Sequence, residues 1–289
     1  MNIALCLDSN FLPYCSTTIQ SIIENHWSKD RINFFIIYAF DSKLLTPILT
    51  QISHAEHHAT CLTFSSFRLK GLRNRAHFTE TTYLRLFLPV ILPENITRVL
   101  YLDSDLIVRA DLTELYQEHL DGFSTAMVPE FEKKNQDPRQ QQYYNSGVML
   151  MDVEAWRNSN LSEKIINYAK EYPEKLEFAD QDAINNTIHE QIKCLDIKWN
   201  CITPYYDKNM ENNYSAEHIK LIKAALSESS IVHFTTASKP WNYINCHPNK
   251  KEFWQYLYNT PYKNTRPVGK NFRNMLKKLE IYIRHKYLK

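Results

Sequence analysis

Two carboxylates stand two residues apart in R-V-L-Y-L-D-S-D-L-I-V, residues 98–108. Val99 to Leu102 form an apolar, β-prone run that stops at Asp103, Ser104 and Asp105, the pattern of a buried strand delivering acidic groups to its carboxyl end. Side chains two apart on a strand project the same way, about 6.5 Å apart at the backbone, so Asp103 and Asp105 can both turn onto one hard divalent cation. Without something positive between them, two such groups repel. The plainer alternative is an acidic turn after a core strand. A second stretch, I-V-H-F-T-T-A-S-K-P-W at residues 231–241, holds one histidine and one lysine six residues apart. A short strand leads to His233, then a turn, then Lys239 beside the stiff Pro240 and bulky Trp241. His233 could complete a two-carboxylate cation site, and Lys239 could neutralise phosphate oxygens on the ion. A structural histidine and a solvated lysine are the ordinary alternatives.

The elements that must carry these groups alternate. Ile3 to Leu7, Ile32 to Ala39, Thr60 to Phe64 and Val99 to Leu102 read as strands, and Tyr14 to Ile23, Leu44 to Ala55 and Thr81 to Leu88 as helices between them. Such alternation predicts an α/β fold, a mostly parallel sheet with helices on both faces whose ligands bind beyond the carboxyl ends of the strands. Asp8 and Asn10 close the first strand at that edge, where they either hold a ligand's ring edge or cap the next helix. After Asp105 the pattern loosens. Ser124 to Val128 and Ser146 to Asp152 read as strands, separated by a polar, Gln-rich loop from Phe131 to Tyr144 of a length expected of a lid or a disordered segment. Leu161 to Tyr172 and Asp180 to Ile188 read as helices. Asp180 is a fair N-cap for the second, a reading that leaves Gln181 unexplained.

Composition narrows the chemistry. At 289 residues, 44% hydrophobic and 13% aromatic, the chain can bury a sizeable core as one large domain with or without a tail. Its four glycines, Gly71, Gly122, Gly147 and Gly269, are scattered, so neither a G-x-G-x-x-G turn nor a P-loop can be written. Any phosphate is then held without a glycine cradle, and a metal ion is its natural partner. The six cysteines form no C-x-x-C pair and no secretory signal is legible ahead of them, so free thiols in a reducing compartment are expected. No apolar run approaches the roughly 18 residues of a membrane span. Residues 263–289 carry nine Lys or Arg against Glu280 alone, a net of +8, which leaves the first 262 residues at −6 within the overall +2. An acidic body argues against nucleic acid as its partner. In the tail, Phe272, Met275, Leu276, Leu279, Tyr282, Ile283 and Tyr287 fall on one helical face with basic residues around the others. A basic amphipathic helix of this kind fits an anionic membrane surface, and a terminal helix docked on the body is the alternative.

The set Y-L-D-S-D, T-T-Y-L-R-L, N-S-G-V-M-L-M-D, D-Q-D and H-F-x-x-x-x-K-P-W resembles the family 8 glycosyltransferases, especially the bacterial lipopolysaccharide galactosyl- and glucosyltransferases, over roughly residues 1 to 245. Each motif alone is weak, and together they specify the family but not the sugar. The resemblance implies a GT-A fold over residues 1–262, with residues 263–289 as a membrane-association tail. It implies transfer of a hexose, galactose ahead of glucose, from a UDP-sugar to a saccharide acceptor of a surface glycan, with Mn²⁺ and with retention of anomeric configuration. It would place the enzyme in the cytoplasm, peripheral on the inner face of the bacterial membrane beside a lipid-linked acceptor. By the same resemblance Asp103, Asp105 and His233 ligate the metal. Asp8 and Asn10 contact uridine, and Arg85 contacts the donor sugar. Asn145 and Asp180 bind sugar hydroxyls, Gln181 lies beside the anomeric carbon, and Lys239 sits on the diphosphate. Ser104, between the two aspartates, and Thr236 join the donor-binding set. Thr236 stands where the family often has glycine, and a threonine cannot take positive φ cheaply, so the loop differs there or the hydroxyl replaces a backbone contact.

Breaking the C1–O bond of a UDP-sugar builds negative charge on the leaving diphosphate, which Mn²⁺ and Lys239 would stabilise. Retention needs either a covalent glycosyl-enzyme or attack on the face the leaving group departs from. The neutral amide of Gln181 is a poor nucleophile, which favours same-face attack, with Asp180 as the minority nucleophile. Two other classes remain at this point. One is a phosphatase built on Asp-x-Asp, a motif that typically continues Gly-Thr where this chain has Leu106 and Ile107. The other is a peripheral membrane-binding module with a degenerate site.

Overall fold

The hydrophobic pattern of the first strands is continuous enough to bury both faces, and the computed structural model of the chain does so. It describes residues 1–64, 72, 80–131 and 142–278. Residues 132–141 of the Gln-rich loop and residues 279–289 of the tail lie outside the described residues. The strands are β1 (Asn2–Leu7), β2 (Asn33–Tyr38), β3 (His58–Thr63), β4 (Arg98–Leu102), β5 (Leu106–Val108), β6 (Thr125–Glu130), β7 (Tyr143–Asp152), β8 (Ile192–Cys194), β9 (Cys201–Ile202) and β10 (Ile231–His233). Seven of them form a sheet in the order β3-β2-β1-β4-β7-β6-β8. All neighbours run parallel except β7, which is antiparallel to both β4 and β6. Reversing β7 brings its first residues to the same sheet edge as the carboxyl ends of β1, β4 and β6. That edge therefore collects Asp8, Asp103, Glu130 and the segment Tyr143 to Gly147.

Alternation along each strand divides the core in two. Ala4, Phe35, Ile37, Val99, Tyr101, Met149 and Met151 pack with the helices Leu161–Glu171 and Asp180–Ile188 on one face. Ile3, Leu5, Phe34, Ile36, Leu100, Leu102, Val148 and Leu150 pack with the helices Leu12–Glu24 and Thr46–His54 on the other. The period of two is what lets one strand serve both layers. A second, three-stranded sheet in the order β5-β10-β9 continues from the first through the Asp103–Asp105 corner.

Three local expectations need correction. The segment expected as an α-helix from Thr81 to Leu88 is a 3₁₀ helix over Glu80–Phe87 followed by one α turn, Leu88–Ile91. Pro89 explains this, because its ring would collide with the carbonyl four residues back in an α-helix and its nitrogen has no proton to donate. Asp180 is not the N-cap of its helix. Ala179 takes that position with φ 49° and ψ −114°, and Asp180 is the first helical residue. The strand expected from Ser146 also begins earlier, at Tyr143, and residues 146–148 bulge out of its pairing with β6, where Met127 faces Met149 and Val128 faces Asn145.

The six cysteines are free, and among the described residues no helix is long and apolar enough to cross a membrane. The basic tail is described as far as Lys278. Its first part is helical from residue 272, with Phe272, Met275 and Leu276 exposed. Asn242 and Val268 form a parallel bridge, in which Val268 N–H donates to Trp241 O and Tyr243 N–H to Val268 O, both at 2.8 Å. Lys278 Nζ donates to Tyr243 O at 3.2 Å and lies over the Tyr243 ring.

Candidate active site

Register places the three expected ligands. Asp103 N–H donates to Gly147 O at 2.9 Å, which extends the β4–β7 ladder one residue past Leu102 opposite Val148. β5 starts just after Asp105 and pairs antiparallel with β10, His233 opposite Leu106, while Phe234 N–H donates to Asp105 O at 3.0 Å. His233 Nε2 consequently lies 3.1 Å from Asp105 Oδ1 and 3.6 Å from Asp103 Oδ2. One ligand atom from each residue lies within 4.8 Å of the others. Gly147 makes this approach possible. A Cβ there would stand 2.1 Å from His233 Cε1 and 2.9 Å from Asp103 Oδ2, far inside van der Waals contact.

A chain of amides decides which histidine nitrogen faces the carboxylates. Glu130 Oε2 accepts from Asn145 Nδ2 at 3.2 Å, so the Asn145 oxygen points the other way, accepting from Gly147 N–H at 3.0 Å and Asn200 Nδ2 at 2.8 Å. The Asn200 oxygen is then left for His233 Nδ1, at 2.9 Å. An amide oxygen only accepts, so Nδ1 carries a proton, and Nε2 is the nitrogen that faces the carboxylates, 3.1 Å from Asp105 Oδ1. Two carboxylates facing one histidine nitrogen favour a positive charge among them, a proton on Nε2 or a metal ion in its place. Oxygen plus imidazole donors suit a divalent transition ion, and a histidine whose other nitrogen donates to a fixed acceptor is the usual supporting arrangement. The residues fit a metal. Neither Asn200 nor Glu130 carries a local sequence signal that would single it out. Tyr101, two residues before Asp103 and on its face, could have been found by period two, and its hydroxyl donates to Asp103 Oδ1 at 2.5 Å.

Lys239 reaches the same point from the other side, with Nζ 2.6 Å from Asp105 Oδ2 and also donating to Phe234 O. Burial pushes the Asp105 carboxyl up, but Lys239 and then His233 outweigh it and hold the group well below the usual carboxylate range. Arg85 is buried, stacked over Tyr101 at 4.6 Å. It joins Asp103 Oδ1 at 2.9 Å to Asp180 Oδ2 at 3.0 Å, and also donates to Ser146 O at 2.7 Å. Asp180 is only 1% exposed. Burial raises its pKa to about 7 against the pull of Arg85.

Gln181 lies beside this pair, its Oε1 accepting from Ser146 N–H at 3.0 Å and its Nε2 donating to Tyr143 Oη at 3.1 Å. The remaining expected residues take humbler positions. Asp8 caps the short helix Ser9–Phe11, accepting from the backbone and side-chain nitrogens of Asn10 at 2.8 and 2.9 Å, and both stand at the carboxyl edge of β1. Ser104 is buried and donates to Cys6 O. Thr236 Oγ1 donates to Ser238 O at 3.3 Å. The structure thus brings together Asp103, Asp105, His233, Lys239, Arg85, Asn145, Asp180 and Gln181 in one bonded network, with Asp8, Asn10, Ser104 and Thr236 outside it.

The profile of glycosyl transferase family 8 matches residues 2–245. The chain belongs to this family. General stress protein A of Bacillus subtilis is 32% identical over 63% of this chain and 66% of its own length. Lipopolysaccharide 1,2-glucosyltransferase of Escherichia coli is 26% identical over 92% of this chain and 80% of its own. The galactosyltransferase LgtC, solved in complex with donor and acceptor sugar analogs, superposes with a TM-score of 0.80 over 93% of this chain and 98% of its own at 19% identity. The fold is accordingly the α/β, GT-A fold of a family 8 glycosyltransferase, with the mixed sheet and carboxyl-edge site described above.

Proposed function

We propose that this family 8 enzyme transfers a hexose from a UDP-sugar to a saccharide acceptor of a bacterial surface glycan, with retention and with Mn²⁺ held by Asp103, Asp105 and His233. The observation that carries the reading is the convergence of two carboxylates and His233 Nε2 beside Lys239, with Gln181 fixed a short way along the same edge. When bound, the divalent ion supplies Lewis-acid stabilisation of the departing diphosphate. Lys239 adds a second positive charge, drawn from Asp105 to phosphate oxygens. Arg85 keeps Asp103 and Asp180 apart in charge and fixed in place, and so acts through its neighbours. The amide oxygen of Gln181 faces the positive charge that grows on the sugar ring as the C1–O bond breaks. Asp180 is buried and held by Arg85, which supports same-face attack, the diphosphate oxygen taking the acceptor's proton, over a covalent route through Asp180. The LgtC likeness favours galactose and the Escherichia coli relative glucose, with galactose preferred. The tail, rich in charge and exposed apolar side chains, would hold the protein at an anionic membrane near a lipid-linked acceptor.

Calorimetry with UDP in the presence of Mn²⁺, and again with a chelator, tests the reading. Binding of UDP that appears only with the metal is expected. Binding of phosphate without need of the uridine would favour a phosphatase, and no binding of either would mean a degenerate module. A screen of UDP-hexose hydrolysis then identifies the sugar.

A further inference from the structure

Gln181 is an amide, and its two ends are chemically opposite, so its usefulness next to a cationic sugar depends on which end is turned where. Four groups surround it. Ser146 N–H is a donor at 3.0 Å from Oε1, and the Ser146 hydroxyl lies 3.5 Å from the same oxygen. On the other end, Nε2 lies 3.1 Å from Tyr143 Oη and 3.5 Å from Glu130 Oε2. Tyr143 itself has one proton, and it goes to Asp182, whose Oδ1 is 2.5 Å from the phenol oxygen. Asp182 is buried and its other oxygen accepts from the backbone N–H groups of Glu177 and Phe178, both at 2.6 Å. It can only accept. The Tyr143 oxygen, having given its proton away, can only accept from Gln181. A flipped amide would set its NH₂ against the Ser146 N–H and its oxygen against Glu130 and a Tyr143 lone pair, losing every contact at once.

We propose that Tyr143, oriented by Asp182, is a positioning residue that fixes the Gln181 amide with its carbonyl oxygen toward Ser146 and its amino end away from the sugar. This rests on the reading of Gln181 given under Proposed function. An amide oxygen has two lone pairs. Ser146 N–H holds one. The Ser146 hydroxyl has a single proton and a nearer acceptor in Asp180 Oδ2, 3.3 Å against 3.5 Å, so the second lone pair remains for the charge that develops in the transition state. Without the Tyr143 hydroxyl, the amino end keeps only the long contact to Glu130 and the side chain can rotate away.

The test is a double-mutant cycle on full-length protein with Mn²⁺ and a UDP-hexose, following kcat, the donor KM and UDP affinity. Tyr143→Phe is expected to lower kcat on the order of tenfold, the loss of one hydrogen bond at the charge-bearing group. Donor KM and UDP affinity should stay within about twofold. In a Gln181→Ala background the same substitution should cost nothing further. An equal loss in both backgrounds would mean a structural role and would overturn the proposal, as would unchanged kcat for Tyr143→Phe in otherwise native protein. If Tyr143→Phe does not fold, Asp182→Asn is the second variant, because it frees the Tyr143 proton to turn toward Gln181 Nε2. The same loss of kcat, vanishing in the Gln181→Ala background, is expected, and an equal loss in both backgrounds would overturn the proposal. A wild-type protein that turns over no UDP-hexose would instead defeat the functional reading and leave the amide orientation to be read by the thermal stability of the same four proteins. Coupling between positions 143 and 181 in melting temperature would then support the orientation, and additivity would count against it.

Discussion

Gly147 lacks a side chain, and the His233 ring occupies the volume where one would be. Only a glycine allows a histidine on β10 to reach the carboxylates between β4 and β5. Gly147→Ala is therefore expected to displace the ring and weaken Mn²⁺ binding in the presence of UDP at least about tenfold, since a lost or misplaced ligand bond costs more than a typical hydrogen bond. The unfolding midpoint of the metal-free protein should fall as well, because His233 is buried and the ring must give way inside packed structure. Titration calorimetry and a thermal melt read the two quantities. Asp180 makes a separate, pH-dependent prediction. Its folded pKa is raised by burial to about 7 from an ordinary 3.8, so between those values the folded chain holds a proton that the unfolded chain has released. Stability then falls as pH rises through that window and levels off above it. Denaturant midpoints of metal-free protein between pH 5 and 8 are expected to decline, and Asp180→Asn should flatten the decline. A slope unchanged by the substitution would mean that another group carries it.

The helix Asp180–Ile188 presents both Asp180 and Gln181 from its first turn, and the residue before it pays in strain. Ala179 has φ 49° and ψ −114°, a region that L-residues avoid and that costs of order 1–3 kcal/mol. Asp182 holds the preceding turn in that shape through Glu177 and Phe178. Ala179→Gly should accordingly be tolerated within about 0.5 kcal/mol, relief of strain offsetting the lost methyl and the freer unfolded chain. The same change at buried Ala183, inside the helix, should cost about 1 kcal/mol or more. Equilibrium denaturation of both variants checks the contrast. The bounds of this helix were legible in the sequence because its apolar period is regular. Those of the 3₁₀ segment before Pro89 were not, because periodicity does not distinguish a 3₁₀ helix from an α-helix over two turns. Asp103 and Asp105 were legible from period two on a strand. His233 was legible as a residue type only, since what sets it against Asp105 is pairing between positions 128 residues apart. Asn200 and Glu130 stayed hidden for the same reason, their roles being made wholly by the fold.

At the scale of the whole molecule, a net −6 body carries a net +8 end, and the exposed Phe272, Met275 and Leu276 lie in that end. If the end is an anchor, its strength should fall with ionic strength, as each basic residue near an anionic surface contributes about 1 kcal/mol that salt screens. Deleting residues 270–289 is expected to abolish salt-sensitive sedimentation with anionic vesicles while activity on a soluble acceptor survives. Sedimentation by the truncated protein would show that the anchor lies elsewhere. Deleting from residue 264 should also reduce activity, because it removes Val268 and its hydrogen bonds to Trp241 and Tyr243.

That bridge ties the end of the chain to the segment that carries Lys239, whose backbone N–H donates to Asn242 Oδ1 at 3.1 Å. If the end of the chain binds anionic lipid, the membrane and the donor act on one joint, and any coupling between their free energies of binding is symmetric. Whatever factor vesicles impose on the affinity for UDP and Mn²⁺, UDP and Mn²⁺ must impose on the affinity for vesicles. Val268→Pro, which deletes the N–H that reaches Trp241, should bring both factors to one together. A surface-bound enzyme wired in this way would sense its donor and its membrane as a single event.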